Sequence, residues 1–307
     1  MGYIVSARNV TKVFKGKEVV SDVSMNISEG QIYGFLGPNG AGKTTFMRML
    51  LNLVKPTSGE IELFGERLTP TSIDVFKRIG NIIEYPVFYD KLTAVENLEM
   101  HCEYMGFYNK KAISDVMEQV KLTSVNGKPV GEFSLGMKQR LGMARALVTK
   151  PELLILDEPI NGLDPAGIKD FRDLFQVLSK EHHMTLFISS HLLSEIEMIA
   201  DTIGIIQNGV FKEEIAMNEL KHRNSDFIEI VTPQCRKAVF ILENTLKINN
   251  FKVIGDHTIR IYQAGVSQPE VSKTLILNDV AIESIHHKRT SLEEYFIDQT
   301  SGGEKYA

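Results

Sequence analysis

Gly37-Pro38-Asn39-Gly40-Ala41-Gly42-Lys43-Thr44 fits G-x-x-x-x-G-K-[ST], the pattern of a phosphate-binding loop. Each residue type has a physical reason. Glycines let the backbone curl until successive N–H groups point at phosphate oxygens. Lys43 supplies a point charge to the β- and γ-phosphates, and the Thr44 hydroxyl can ligate Mg²⁺. The intervening Pro38, Asn39 and Ala41, and the adjoining Thr45, are expected contacts of the same nucleotide. Upstream, residues 32–36 read as a short buried strand. Downstream, residues 44–54 read as a helix, stopped before Pro56, whose N-terminus faces the anion. The loop alone leaves several machines open. A GTPase needs an Asn-Lys-x-Asp base reader, and Asn109-Lys110-Lys111-Ala112 fails at its last position. A small-molecule kinase stays open at this point.

The next informative stretch is Leu153-Leu154-Ile155-Leu156-Asp157-Glu158-Pro159. A continuous apolar run is the mark of a parallel strand buried on both faces. Ending it in two carboxylates puts them at the edge where open α/β sheets bind ligands. Asp157 is then placed to hold Mg²⁺, and Glu158 to orient or deprotonate an attacking water.

The remaining sequence frames these motifs. A chain of 307 residues has room for about two domains, and 43% hydrophobic residues can build a sizeable core. A net charge of −5 argues against nucleic acid as the main partner. No apolar run reaches the roughly 18 residues of a membrane span. Residues 1–10 lack the basic start and apolar stretch of a signal peptide. Met1-Gly2-Tyr3-Ile4-Val5-Ser6 fits an N-myristoylation pattern, yet Tyr3, Ile4 and Val5 read as the start of a strand. Cys102 and Cys235 lack CxxC spacing and read as reduced structural thiols of a cytoplasmic protein. No metal-ligand cluster stands out.

Strand patterns at 4–15 and 19–27 precede the loop, and residues 86–149 read mainly as a helical insertion. Thr93-Ala94-Val95-Glu96 opens the insertion as a capping box. The core resumes with strands at 153–156, 185–189 and 202–206, helices at 166–180 and 192–200, and a hairpin at Asn208-Gly209. From about residue 221 the order is β-α-β-β-α-β, as in a ferredoxin-like unit, followed by a helix starting at Ser291 and capped by Glu294.

Phe133-Ser134-Leu135-Gly136-Met137-Lys138-Gln139-Arg140 resembles the ABC signature sequence, usually Leu-Ser-Gly-Gly-Gln. Ser134 and Gly136 are retained, while Leu135 and Met137 depart from it. Residues 3 to about 220 thus resemble ABC transporter ATPase subunits. The resemblance implies an α/β P-loop NTPase core: a parallel sheet, an antiparallel β-subdomain and the helical insertion. It implies an ABC nucleotide-binding domain at 1–220, leaving 221–307 as an α+β accessory domain. That domain carries no chemical motif and is expected to stabilise a dimer. The resemblance further implies that Phe14 stacks on adenine, and that Asn161-Gly162-Leu163-Asp164 is the D-loop contributing Asp164. Ser189-Ser190-His191 resembles the switch-histidine segment, whose imidazole hydrogen-bonds the γ-phosphate. Two copies would face head to tail around two ATP and Mg²⁺, with Ser134 serving the nucleotide of the other copy.

A transporter of this kind needs separate integral-membrane permease subunits, which would hold the ATPase at the inner face of a bacterial membrane. Aromatic residues of the insertion (Tyr85, Phe88, Tyr89, Tyr104, Phe107 and Tyr108) are expected to divide evenly between its core and a permease groove. Glu84 in Ile82-Ile83-Glu84-Tyr85-Pro86 stands where the family usually has Gln, and it is an expected Mg²⁺ contact. It resembles the variant loop of transporters that protect bacteria against lantibiotics. The signature stretch and the C-terminal extension are similar to bacitracin-resistance relatives of that group. The implied function is ATP-driven peptide-antibiotic export or self-protection. A general drug exporter and a soluble non-transport ABC protein are the alternatives.

Overall fold

The structure, a computed structural model, describes residues 2–107, 109–125, 127–223, 226–263, 265–289 and Leu292. The chain opens with two long strands, β1 (Tyr3–Phe14) and β2 (Lys17–Ser28), joined by Lys15 and Gly16, both at positive φ. β3 (Ile32–Leu36) leads into the phosphate loop and α1 (Lys43–Leu50). This helix is shorter than the sequence predicts: Asn52 turns the chain at a φ of 56° before Pro56 is reached. Phe46, Met47 and Leu50 are fully buried, and each contributes about 1.5–3 kcal/mol to holding α1 against the sheet. Phe46 meets Phe35 of β3 at 5.4 Å between ring centres.

β4 (Ser58–Leu63), β5 (Glu66–Arg67), α2 (Ile73–Phe76) and β6 (Ile79–Ile82) follow. The helical insertion then carries α3 (Ala94–Tyr104), α4 (Lys110–Gln119) and α5 (Leu135–Leu147). Thr93 and Glu96 form the expected capping box, and Asn109 and Ser134 cap α4 and α5. Close contacts dock the insertion. A Cβ on Gly80 of β6 would run into the Ala146 carbonyl, and one on Gly142 of α5 would lie 2.8 Å from Pro86. The core returns with β7 (Leu153–Asp157), α6 (Pro165–Lys180), β8 (Thr185–Ser190), α7 (Leu193–Glu197), β9 (Thr202–Gln207) and β10 (Val210–Ala216).

These strands form one sheet in the order β5-β4-β1-β2-β10-β9-β3-β8-β7-β6. The stretch β9-β3-β8-β7-β6 is parallel, and β1, β2, β4 and β5 pair antiparallel. Every residue of β3, β7 and β8 is buried, which is why residues 32–36, 153–156 and 186–188 run apolar or small without alternation. Register decides where the site lies. Leu36 pairs with Ser190, Asp157 with Ser189, and Ile82 with Leu156. Gly37, Glu158 and His191, which follow β3, β7 and β8, and Glu84, two positions past the end of β6, therefore emerge at one edge of the sheet.

The chain divides into two units, Met1–Met217 and Asn218–Ala307. α8 (Met217–Arg223) follows β10, where the sequence reading assigns no element. In the second unit, β11 (Asp226–Val231), α9 (Cys235–Asn244), β12 (Phe251–Ile254), β13 (Thr258–Ile261), α10 (Gln268–Leu277) and β14 (Ser284–Arg289) form an antiparallel sheet in the order β12-β13-β11-β14. That is the ferredoxin-like arrangement. One face packs Ile228, Ile230, Ile259 and Ile261 among apolar residues of α9 and α10. Glu229, on the alternate side of β11, bonds Arg260 and Lys288. The helix expected from Ser291, with its Glu294 cap, lies outside the described residues.

Candidate nucleotide site

Backbone fit comes first. A Cβ on Gly37 would run into the Ile206 carbonyl, and one on Gly42 would lie 2.7 Å from the Val19 carbonyl. Gly40 and Gly42 take φ of 79° and 106°, where L side chains are strained. The loop is braced from the side: Gly209 N–H donates to the Ala41 carbonyl at 2.9 Å, and Ser21 N–H donates to Gly209 at 2.7 Å. A cleft of about 210 Å³ opens over this backbone, lined by Val19, Asn39, Gly40, Lys43, Thr45 and Glu158 among others. A larger cavity of about 500 Å³, lined by Asp115, Lys150, His182 and Met184 among others, holds none of the motif residues. Chemistry, not volume, selects the smaller one.

Lys43 and Glu158 line that cleft, and His191 stands against Glu158. The buried Lys43 ammonium donates to the Gly37 carbonyl at 2.6 Å and lies 3.3 Å from Glu158 Oε1. Glu158 Oε1 is itself buried with no hydrogen bond, so the contact is charge against charge without donor alignment. Its other oxygen meets His191 Nδ1 at 2.7 Å. Glu158 takes a φ of 49°, and a non-glycine residue held in such a region costs of order 1–3 kcal/mol.

Asp157 stands beside this group with both oxygens engaged. Thr44 Oγ1 donates to Oδ2 at 2.7 Å, and Ser189 Oγ donates to Oδ1 at 2.6 Å. A hydroxyl and a carboxylate this close suit Mg²⁺, which is held by one or two carboxylates with phosphates and water completing its shell. No cluster of three or more His, Cys, Asp or Glu exists among the described residues, so a protein cage for the metal is absent from them. The residues present fit ATP with Mg²⁺: a glycine-dependent phosphate cradle, a buried cation and an oxygen pair.

Comparison with known proteins agrees. The ABC transporter family profile matches residues 20–161. The chain is 61% identical, over 98% of its own length and 98% of the relative's, to the uncharacterized ABC transporter ATP-binding protein YcbN of Bacillus subtilis (strain 168). It is an ABC transporter ATP-binding subunit. This ABC subunit is also 46% identical, over 99% of each chain, to the bacitracin transport ATP-binding protein BcrA of Bacillus licheniformis. Among solved structures, the dimeric post-hydrolysis ATP-binding cassette MJ0796, bound to ADP and Pi, has a TM-score of 0.64 at 24% identity, covering 69% of this chain and 98% of that one. That likeness speaks to the fold. As a member of its family the subunit is an ATPase, and no helix among its described residues is long and apolar enough to cross a membrane.

Other sequence-predicted residues of the ABC subunit stand apart from the Lys43 cleft. Phe14 ends β1, is 44% exposed, and carries the Lys12 ammonium 4.8 Å over its ring. Ser134 caps α5 by accepting from Met137 N–H at 3.3 Å. A Cβ on Gly136 would sit 3.5 Å from Leu163, and Asp164 caps α6 through Gly167 N–H at 3.1 Å. Glu84, at a φ of 60°, bonds Arg48 of α1 at 2.6 Å and is not among the residues lining the cleft. Sequence reasoning missed Val19 and Arg48, and it placed Ser189 only as part of the switch-histidine segment. It also missed the buried Gln139, which donates to the Pro159 carbonyl at 2.7 Å and ties α5 to the loop after Glu158. The even division of aromatics is corrected as well. Tyr85, Tyr89 and Tyr104 are exposed, Phe88 and Phe107 are half-buried, and Tyr108 lies outside the described residues.

Proposed function

We propose that the subunit hydrolyses Mg²⁺-ATP between two head-to-tail copies and thereby drives a separate permease that protects a bacterium against a bacitracin-type peptide antibiotic. The observation that carries the hydrolytic part is the Lys43–Glu158–His191 chain beside the Thr44–Asp157 pair. Lys43 and the loop N–H groups, with Phe14 against the base, bind and orient ATP. Thr44 and Asp157 would hold the metal, which would supply charge neutralisation to the phosphates. Glu158 takes a proton from the attacking water, and His191 steers that carboxylate and meets the γ-phosphate. Ser134 and Gly136 at the start of α5 present N–H groups to the nucleotide of the other copy, and Asp164 lies beside that junction. A twofold dimer of this kind is self-complementary, and the MJ0796 cassette is dimeric. The second unit would stabilise this dimer.

Permease docking is supported at a groove of about 410 Å³ lined by Val87, Phe88, Tyr89, Met100, His101 and Tyr104 among others. Arg145 of α5 donates to the Val87 carbonyl at 2.8 Å and lies 4.9 Å over the Phe88 ring, which fixes the wall. Apolar walls with an exposed rim suit a short amphipathic helix. Docking there would hold the subunit at the inner face of the membrane. The peptide-antibiotic reading rests on the likeness to BcrA over the whole chain and on Glu84. Its test is expression of the subunit with its permease in a sensitive host, scored for growth in bacitracin and lantibiotics. A rise in the tolerated bacitracin concentration, lost with Glu158→Gln because that variant removes the general base, is expected. No change for any peptide would remove the substrate reading and leave the ATPase standing.

Glu84 yields a separate prediction. Arg48 engages its carboxylate across the surface, where the pair contributes at most about 1 kcal/mol. Arg48→Ala frees the carboxylate for the metal. The Mg²⁺ needed for half-maximal turnover should fall about two- to fivefold, the ratio that such an energy allows. An unchanged or higher requirement would show that Glu84 does not reach the metal.

A further inference from the structure

Ser189 is fully buried on the central strand β8, in a run that is otherwise suited to apolar residues. A buried hydroxyl there is unfavourable unless it is bonded. It is bonded twice, both times to the pair at the end of β7. Its Oγ donates to Asp157 Oδ1 at 2.6 Å and accepts from the Glu158 N–H at 3.0 Å. The parallel register, in which Asp157 pairs with Ser189, makes this geometry possible.

We infer that Ser189 is a positioning residue for the Asp157–Glu158 pair, acting on both through one hydroxyl. The inference rests on the proposed reading of that pair as metal holder and water base. With Thr44 on Oδ2 and Ser189 on Oδ1, the Asp157 carboxylate has a donor on each oxygen and one fixed plane. On the other side, the Glu158 N–H is anchored at a residue whose φ of 49° is uncommon for a side-chain-bearing residue. That backbone turn aims the carboxylate back at Lys43 and His191. An alanine at 189 removes a donor and an acceptor at once. It leaves the Glu158 N–H and Asp157 Oδ1 without their buried partner. The chain's own Ser190 does not substitute, because its hydroxyl accepts from the Leu192 N–H at 2.9 Å.

The experiment compares Ser189→Ala, Ser189→Thr and Glu158→Gln in the full chain. It measures kcat and KM for ATP with Mg²⁺, ATP binding in EDTA, and hydrogen–deuterium exchange of residues 154–160 without nucleotide. Ser189→Ala should lower kcat about 10- to 100-fold, the effect of losing one hydrogen bond to a charged group. KM and metal-free ATP binding should stay within about threefold, since the cradle is untouched. Exchange at residues 154–160 should quicken in the nucleotide-free chain. Ser189→Thr, which keeps the hydroxyl, should restore slow exchange and most of kcat. The inference is overturned if Ser189→Ala keeps kcat and exchange within twofold of the parent. It is equally overturned if Ser189→Ala loses kcat, ATP binding and thermal stability together and threonine rescues none of them. Glu158→Gln separates the two levels. If it turns over ATP like the parent, the reading of the pair itself fails; if it is inactive while Ser189→Ala is normal, only the role of Ser189 fails.

Discussion

Glu158→Gln lowers ATP turnover by about a hundred- to ten-thousandfold while ATP stays bound, the range expected when one general base is removed. The amide keeps the size and one oxygen of the carboxylate, so Pro159 and the chain around it need not move. What changes is charge and proton affinity. Glu158 Oε1 is a buried acceptor 3.3 Å from the Lys43 ammonium, and Oε2 meets His191. Removing the anion leaves Lys43 free to face the γ-phosphate and removes a negative charge beside it, so ATP affinity holds or rises. The amide cannot take a proton from water, so hydrolysis stalls with ATP in place. In the proposed dimer the stalled state has two nucleotides joining two copies. Size-exclusion chromatography of Glu158→Gln with ATP should therefore show the dimer, and single-turnover assays should show retained ATP with little phosphate released. A variant that turns over within threefold of the parent would mean that the water is handled elsewhere.

The site was legible wherever its chemistry is contiguous in sequence. The loop at residues 37–44 and the residues Asp157 and Glu158 each stand at the end of a short continuous apolar run, and that run with the motif after it places both. What escaped the sequence depends on register or on distant chain. Ser189 meets Asp157 across 32 positions, and Arg48 meets Glu84 across 36. Neither hydrogen bond can be read without knowing which strands are neighbours and in what alignment. Val19 reaches the cleft because β2 lies beside the sheet's parallel half through β10, a long-range pairing with no local signal. The insertion misled for a different reason. Its interior is filled by Leu98, Cys102, Ile113, Val116, Met117 and Leu141, which are fully or nearly fully buried. Aliphatic and sulfur-bearing side chains, with Phe133, suffice for so small a core, and Tyr85, Tyr89 and Tyr104 stay at its rim. Composition cannot tell a packed aromatic from one left at a groove; only the geometry of α3, α4 and α5 does. The second unit was readable as an element order, and its strand order follows from how a β-α-β-β-α-β chain pairs. α8 was missed because a helix of one or two turns, Met217–Arg223, carries too few apolar positions to show a period.

Gly37→Ala should abolish measurable ATP binding and lower thermal stability, although it adds one methyl group. The reason lies in what that methyl would meet. The Cβ would run into the backbone carbonyl of Ile206, and Ala41 Cβ would lie 3.1 Å away. Ile206 is fully buried on β9, which pairs with β3 on one side and β10 on the other. Neither backbone can yield without breaking ladder hydrogen bonds, so the loop itself must shift. Overpacking of this kind costs about 1–3 kcal/mol. The shift propagates to Lys43, whose ammonium is held 2.6 Å from the Gly37 carbonyl. It also reaches the N–H groups that point into the cleft. Phosphate recognition depends on several of these donors converging, so displacing the loop misaligns them together. Gly65→Asn is the control: it too has positive φ, 78°, but open space around its Cβ in a surface turn. Asparagine tolerates that backbone, so this variant should bind ATP like the parent. Titration with a fluorescent ATP analogue and a thermal melt of both variants decides the matter. If Gly37→Ala bound ATP within threefold of the parent, the Ile206 carbonyl would not be the wall that shapes the cradle.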